Sequence, residues 1–303
     1  MIDLSIIIVN YNLSREILKC LQSISFHVRD MKYECIIVDN ASTMEEKSVL
    51  SQFVEHHVEI PVKLLYLDYN GGFSTACNYG ARKSYGEYLC FLNPDTLLED
   101  NIFPRLLEVA STYRNCGVIG VRQKLNSTKW DYSYSYFPNI IVELLDILFV
   151  GRLISMCFKF LRPDVNVHEV DWVSGAFMFL RRSIFESAGG FDQDYFMYSE
   201  DMDLCWRLGQ KGLRVLYLPR ESIVHMLSTG SKKDYYFFTK NAYRSKLLFI
   251  RKRYVGVLKA ILLLITYIQL AVLFVTWIML YPLFPQKANG KLSGIISVFR
   301  SAG

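Results

Sequence analysis

The chain has 303 residues, a formal net charge of +5 and 51% hydrophobic residues. At roughly 150 residues per domain, that length suits one large or two small domains and excludes nothing for want of a core. The mild charge gives no reason to expect nucleic acid as a partner. The apolar excess gathers near the C-terminus, which points to a membrane segment rather than a greasy core.

SIIIVN (Ser5–Asn10) is a continuous β-branched run and reads as a strand, followed by a helix for which Ser14 is the expected N-cap. ECIIVDN (Glu34–Asn40) repeats the pattern before a polar helix through Glu45–Glu55. VKLLYL (Val62–Leu67) is a third strand; Gly71-Gly72 breaks the chain and Phe73–Lys83 reads as a helix. EYLCFLN (Glu87–Asn93) and GVIGV (Gly117–Val121) add two strands around a helix beginning near Asn101. Strands alternating with helices predict an α/β fold with right-handed crossovers and a mostly parallel sheet covered on both faces.

After Lys124 the regularity fades. Ile140–Leu161 is apolar but carries Glu143, Asp146, Arg152 and Lys159, a load that fits a membrane-surface helix or a flap on the acceptor side better than a span. The block Val170–Asp192 follows. Tyr198–Gly212 then reads as a loop entering a helix that Gly212 ends, and VLYLP (Val215–Pro219) as a short strand. Ala260 to Gln286 contains no charged residue, long enough for a bilayer crossing of roughly 20 residues. Arg244, Lys246, Arg251, Lys252, Arg253 and Lys259 precede it, which predicts a cytoplasmic side for the part before it. Pro282 and Pro285 leave room for an interfacial hairpin instead, with LSGIISVF (Leu292–Phe299) on the surface. The expected division is a catalytic domain over residues 1–240 and a juxtamembrane and anchoring segment over 241–303. The seven cysteines form no C-x-x-C pair and read as reduced, buried thiols, and the N-terminus has no secretory leader pattern.

In an open parallel sheet, ligands bind beyond the carboxyl ends of the strands. Four successive strands end there in polar or glycine-containing loops: Asn10-Tyr11-Asn12, Asp39-Asn40-Ala41-Ser42, Asn70-Gly71-Gly72 and Asn93-Pro94-Asp95. One polar loop is only a turn; four on one rim describe a binding site. Asp39 suits a base N–H or ribose hydroxyls. Gly71-Gly72 suits close approach to ribose and phosphates at a helix N-terminus. Arg82 either reaches a phosphate or stands solvated on the surface. Asp95 suits a divalent cation, which often takes only one or two carboxylates plus substrate phosphate. His225 is either a further ligand or a structural residue. Glu200, Asp201 and Asp203 open a helix, as helix-capping charge, as a general base for an acceptor hydroxyl, or as both.

SIIIVNYN, VDNAS, NGGFSTACNYG, FLNPDT, VSGAFMFLRR, GGFDQDYFMYSEDMDLCWR and HMLSTGS occur in that order over roughly Leu4–Ser231. In this the chain resembles the family-2 inverting glycosyltransferases of the Rossmann-like GT-A fold. Within them it is similar to the rhamnosyltransferase-like members of bacterial polysaccharide (O-antigen type) assembly. The resemblance implies a nucleotide-diphosphate sugar donor, first of all dTDP-rhamnose, and Mg2+ or Mn2+ as cofactor. It makes Asn10 and Asp39 nucleoside contacts, and sets Asn70, Gly72 and Asn78 near ribose and diphosphate. Asp95 becomes the carboxylate of a D-x-D-type motif in which Asn93 stands for the first Asp, and His225 a downstream metal ligand. Glu200-Asp201 becomes the family's acidic pair with Asp201 as base. Trp172, Ser174 and Gly175 line the sugar or acceptor pocket. The apolar segment and Ile140–Leu161 add a lipid-linked oligosaccharide acceptor at the inner membrane, with the catalytic part cytoplasmic. Two other readings are a polyprenyl-phosphate sugar synthase, whose phosphate acceptor needs no strong base, and a non-catalytic nucleotide-sugar-binding membrane protein. A dinucleotide oxidoreductase is the weakest reading, because no G-x-G-x-x-G follows the first strand.

Overall fold

The computed structural model describes residues 2–57, 61–125, 129–131, 133–147, 167–226 and 234–301. They form two compact units. The first takes Met1–Tyr136, Asp164–Phe196 and Glu200–Leu227; the second takes Phe137–Pro163, Met197–Ser199 and Ser228–Gly303.

The first unit is a mixed, mostly parallel sheet with helices against it. Strands β1 (Leu4–Asn10), β2 (Tyr33–Asn40), β3 (Val62–Leu67) and β4 (Tyr88–Leu92) run parallel, in the spatial order β3-β2-β1-β4. Helices α1 (Ser14–His27), α2 (Met44–His57) and α3 (Gly72–Arg82) connect them. In β1 every side chain is buried, as a strand covered on both faces requires. The sheet continues through β11 (Phe177–Arg181), β6 (Cys116–Leu125), β12 (Arg214–His225) and β5 (Thr96–Leu98). Strand β11 lies antiparallel to both β4 and β6, a reversal inside the otherwise parallel run.

Helix α1 buries Ile17, Cys20, Leu21 and Ile24, one face at three- and four-residue spacing. Helix α4 (Phe103–Thr112) buries Phe103 and Leu106 in the same core, where Phe103 meets Phe177 and Phe179. Each such large side chain contributes about 1.5–3 kcal/mol by leaving water. Ser14 is not the N-cap of α1: it is the first helical residue, and its hydroxyl donates to the Glu46 carbonyl. Asn10 takes part of the capping role, its side-chain oxygen accepting from Leu13 N–H. Six cysteines are buried and unbridged, as expected; Cys157 lies outside the described residues.

The remaining pieces of this unit include the elements that carry Trp172, Glu200 and Asp201. They are β7 (Lys129–Asp131), β8 (Tyr134–Ser135), β9 (His168–Val170), β10 (Trp172–Val173), and the helices that follow β11. The short β10 pairs β8, setting Trp172 opposite Ser135. Helix α6 (Arg182–Ser187) leads to a loop, and α7 (Glu200–Gln210) ends at Gly212, whose φ of +75° is the left-handed value a C′ glycine supplies.

The second unit holds α5 (Ile140–Ile147), α8 (Tyr235–Arg253), α9 (Gly256–Met279) and α10 (Pro285–Arg300). Only the first part of the expected Ile140–Leu161 element is described. Asp234 caps α8 by accepting from Phe237 N–H. Leu247, Leu270, Ile295 and Val298 form the core of α8, α9 and α10. Glu143 of α5 is buried and takes Lys246 Nζ at 2.5 Å and Gln269 Nε2 at 2.7 Å. Among the described residues α9 is the one helix long and apolar enough to cross a membrane, with a mean hydropathy of 2.4 over its best window.

Candidate active site

Parallel pairing of β1 with β2 aligns Asn10 with Asp39, and pairing of β2 with β3 aligns Asn40 with Leu67. The strand ends therefore meet on one rim. Asp39 is 1% exposed and fixed from two sides: Oδ2 accepts from Asn10 Nδ2 at 2.9 Å and Oδ1 from Ser42 N–H at 3.0 Å. Lys47 Nζ stands 3.7 Å from Oδ1. Asn10 has no exposure and spends its amide on Asp39, Ser42 and Leu13, so it holds the aspartate rather than opening toward solvent. Tyr11 beside it is half exposed. Asn12 and Ala41, in the two loops, take left-handed φ values of 55° and 62°, a strain of the kind that gathers at functional sites.

Asn70 accepts from Asn40 Nδ2 at 2.8 Å and from Gly72 N–H at 3.0 Å, closing the third loop onto the second. Gly72 has φ +81°, and a Cβ there would lie 2.2 Å from the Phe196 carbonyl oxygen. The room that glycine leaves is filled by the chain itself, which Phe73 N–H also bonds at 2.9 Å. Asn78 donates to Phe191 O and accepts from Phe191 N–H, pinning the loop that follows α6. Arg82 is not brought to this rim. It is exposed in the last turn of α3, and eleven residues at about 1.5 Å rise carry it to the far edge of the sheet. Of the two readings left open for it, the solvated cation fits.

The second cluster lies after β4. Asn93 N–H is held by Ala176 O, and Asp95 is buried after it. His225, the last residue of β12, sets Nε2 3.2 Å from Asp95 Oδ1 and 3.5 Å from Asn93 Nδ2. Its Nδ1 stands 3.1 Å from Gln123 Oε1 on the neighbouring β6. In the tautomer in which Gln123 accepts from Nδ1–H, the Nε2 lone pair turns toward Asp95. In that tautomer the imidazole and the carboxylate oxygen face each other as two ligands of one ion would. One carboxylate, one imidazole and diphosphate oxygens suit a divalent cation. No group of three or more His, Cys, Asp or Glu forms a metal cluster among the described residues, so substrate oxygens would have to complete the shell.

The third cluster opens α7. Asp201 Oδ2 accepts from Gly175 N–H at 2.7 Å and Oδ1 from Met202 N–H at 2.8 Å. Gly175 reaches it because Ser174 N–H bonds Ser133 O and Ser174 Oγ accepts from Ala176 N–H, a tight turn between β10 and β11. Trp172 donates Nε1–H to Tyr136 O and stands half-buried at that turn. Burial raises the Asp201 pKa above its ordinary value, while the backbone N–H groups pull it partly back. Glu200 is pushed well up, first by burial and then by the Asp201 charge beside it, and its Oε2 has no hydrogen-bond partner among the described residues. The two neighbouring acids are thus shifted unequally, Glu200 further than Asp201, the pattern that suits one acid to hold a proton and the other to accept one. Tyr198 and Ser199, directly before them, have φ of 68° and 64°. Asp203 is fully buried and structural, bonded by Tyr195 OH at 3.1 Å and Arg207 Nε at 2.8 Å.

Residues 5–189 match the model of Glycosyl transferase family 2, and residues 149–286 that of Glycosyl transferase family group 2. The chain belongs to glycosyltransferase family 2. Rhamnosyltransferase WbbL of Escherichia coli is 28% identical over 243 residues, covering 78% of this chain and 86% of its own. An N-acetylglucosaminyl-diphospho-decaprenol L-rhamnosyltransferase of Mycobacterium tuberculosis is 24% identical over 268 residues, 84% of this chain and 85% of that one. A mannosyltransferase of Pyrobaculum calidifontis, solved with GDP-Man and Mn2+, matches in fold at TM-score 0.59 and 16% identity, over 98% of this chain and 86% of that one. The fold of this glycosyltransferase is thus GT-A.

One residue of the enzyme's site escaped the sequence pattern. Gln123 joins His225 only because β6 and β12 pair, a contact 102 residues apart. Ser42, already placed on the rim by its loop, serves three partners, Asn10, Asn12 and Asp39.

Proposed function

We propose that the enzyme is an inverting rhamnosyltransferase of cell-surface polysaccharide assembly, moving L-rhamnose from dTDP-rhamnose to a hydroxyl of a lipid-linked saccharide. The acceptor oxygen bonds to the anomeric carbon as the bond to the diphosphate oxygen breaks from the opposite face. Asp201 takes the hydroxyl proton, and the diphosphate leaves with the bonding electrons. Glu200, protonated beside it, keeps a second negative charge out of the pocket. Asp39 holds the nucleoside, with Tyr11, Asn10, Asn70, Gly72 and Asn78 shaping the loops around it. Trp172, Ser174 and Gly175 shape the sugar side, and Asn93 steadies His225.

Asp95 and His225 would hold a divalent cation, Mg2+ or Mn2+, which stabilises charge on the departing diphosphate. The acceptor class is supported by the mycobacterial relative, an N-acetylglucosaminyl-diphospho-decaprenol L-rhamnosyltransferase. A site of action at the cytoplasmic face of the inner membrane is supported by α9 and the basic residues before it.

The observation that carries this reading is Asp201, fixed by two backbone N–H groups, half-buried, and raised in pKa beside a still more acid-retaining Glu200. A hydroxyl acceptor needs such a base; a lipid phosphate does not. The test supplies UDP-, dTDP- and GDP-sugars with Mn2+ or Mg2+ and lipid-linked acceptors, and follows nucleotide release. Turnover of dTDP-rhamnose that Asp95→Ala and Asp201→Asn both abolish supports the whole reading. Transfer to a polyprenyl phosphate that survives Asp201→Asn would replace it with the phosphate-acceptor reading.

A further inference from the structure

The second unit carries a surface that the chemistry of sugar transfer does not use. On α9, Val257, Leu264, Ile268, Val275, Ile278 and Met279 are 43–76% exposed. At 3.6 residues per turn they fall within an arc of about 100°. The residues α9 buries, among them Leu262, Thr266 and Gln269, occupy the opposite arc. One side of the helix is therefore packed on protein, and the other is an unbroken apolar stripe.

What packs on the first side decides how that stripe can meet a bilayer. Helix α8 lies along α9 antiparallel: Arg251 donates to Tyr267 OH, and Leu247 shares a core with Leu270. Helix α10 turns back along it, with Lys287 over the Trp277 ring at 5.3 Å and Phe299 stacked on Tyr267 at 5.9 Å. It also packs on α8, where a Cβ at Gly290 would meet Tyr235 and one at Gly294 would meet Thr239. If α9 crossed the membrane, α8 and α10 would be drawn into hydrocarbon with Lys240, Arg244, Lys246, Lys287 and Lys291. Each such cation costs about 2.5–3.5 kcal/mol at mid-bilayer on insertion scales. Both ends of α9 are also basic, with Arg251, Lys252, Arg253 and Lys259 at one and Lys287 and Lys291 at the other. A cationic flank at each end suits a helix lying along an anionic surface and held on its cytoplasmic side.

From Tyr235 to Arg300 the chain has ten Lys and Arg and no Asp or Glu. Lys287 and Lys291 lie over Tyr235, Trp277 and Phe238, the amphipathic rings that settle at headgroup level. We infer that α8, α9 and α10 form a monotopic platform, with α9 lying in the plane of an anionic leaflet, its apolar stripe sunk among the acyl chains and its cationic neighbours on the phosphates. Of the two readings the uncharged run leaves open, crossing or interfacial, the proposal takes the second. It rests on the proposal that the enzyme works at a membrane, and its test does not depend on sugar transfer.

The full chain is made with Cys157→Ser and one reporter cysteine, either exposed Asn289→Cys on α10 or exposed Ser48→Cys on α2. Bacteria expressing each are treated with a membrane-impermeant maleimide. Both reporters should label in inverted inner-membrane vesicles and neither in intact spheroplasts. Labelling of Asn289→Cys only from the spheroplast side would mean that α9 crosses, and would overturn the proposal. In a second arm, purified protein is sedimented with phosphatidylcholine vesicles with and without phosphatidylglycerol. Binding should need the anionic lipid and fall steeply with salt. Leu264→Glu/Val275→Glu should lower it at least about ten-fold while leaving donor hydrolysis intact. Binding that ignores both lipid charge and these changes also overturns the platform.

Discussion

Glu143 and Glu200 are equally hidden, at 2% and 6% exposure, and are treated in opposite ways. Glu143, in the helical unit, meets Lys246 and Gln269 and is fully answered. Glu200, in the sheet unit, meets another acid, and one of its oxygens has no hydrogen-bond partner among the described residues. A buried carboxylate given a cation holds structure together. One denied a cation is pushed toward its protonated form. The difference separates scaffold from chemistry more clearly than burial or sequence position does.

The sharpest way to break this contrast is Asp201→Asn. Loss of the ionisable group should lower kcat/KM for a hydroxyl acceptor by about 10³, within the range that general-base catalysis supplies. The asparagine keeps one carbonyl, for the Gly175 N–H, and loses the Met202 N–H as a donor to it, so the melting temperature should fall only slightly. A loss under ten-fold in steady-state kinetics would remove Asp201 from the base role. On the other side of the comparison, Lys246→Met leaves Glu143 buried without its cation and should cost roughly 3 kcal/mol of stability. The double change Glu143→Gln/Lys246→Met should recover most of that, since a neutral pair has no stranded charge. Urea unfolding of the three variants measures both, and a single variant as stable as the parent would show the pair to be ornamental.

Much of this was legible beforehand, for local reasons. The β-branched runs of β1 to β4 and the break at Gly71-Gly72 are written in neighbouring residues, and so is the acid-rich start of α7. What was not legible depends on long-range pairing. Strand β11 looks like any apolar strand, yet its antiparallel insertion between β4 and β6 is what carries Gly175 to Asp201. Arg82 follows a rim glycine closely in sequence, but helix rise takes it to the wrong edge. Gln269 reads as one polar residue in an apolar run, and only the fold reveals Glu143 as its partner.

Gln123 tests the middle ground, a residue that touches only another side chain. Gln123→Leu removes the acceptor that keeps the His225 proton on Nδ1. Mn2+ affinity, read by titration calorimetry in the presence of dTDP, should weaken about ten-fold, as loss of an orienting partner does at other metal sites. Gln123→Glu, which still accepts, should restore it. Equal affinity in all three would make the contact mere packing.

The smallest effect concerns stability and follows from the raised Glu200. In the unfolded chain Glu200 titrates near its usual value of about 4.3. In the folded enzyme it holds its proton to higher pH. Between those two values the folded state binds more protons than the unfolded one, so stability falls as pH rises through the window. Glu200→Gln removes this proton linkage. Its melting temperature should therefore gain on the parent steadily from mildly acidic to neutral pH, and the two should converge below the unfolded value. The same acid pair predicts that kcat/KM rises with pH only above the ordinary carboxylate range, because Asp201 is raised as well. If the melting difference were flat across that window, Glu200 would be ionised throughout. The division of labour between it and Asp201 would then have to come from geometry alone.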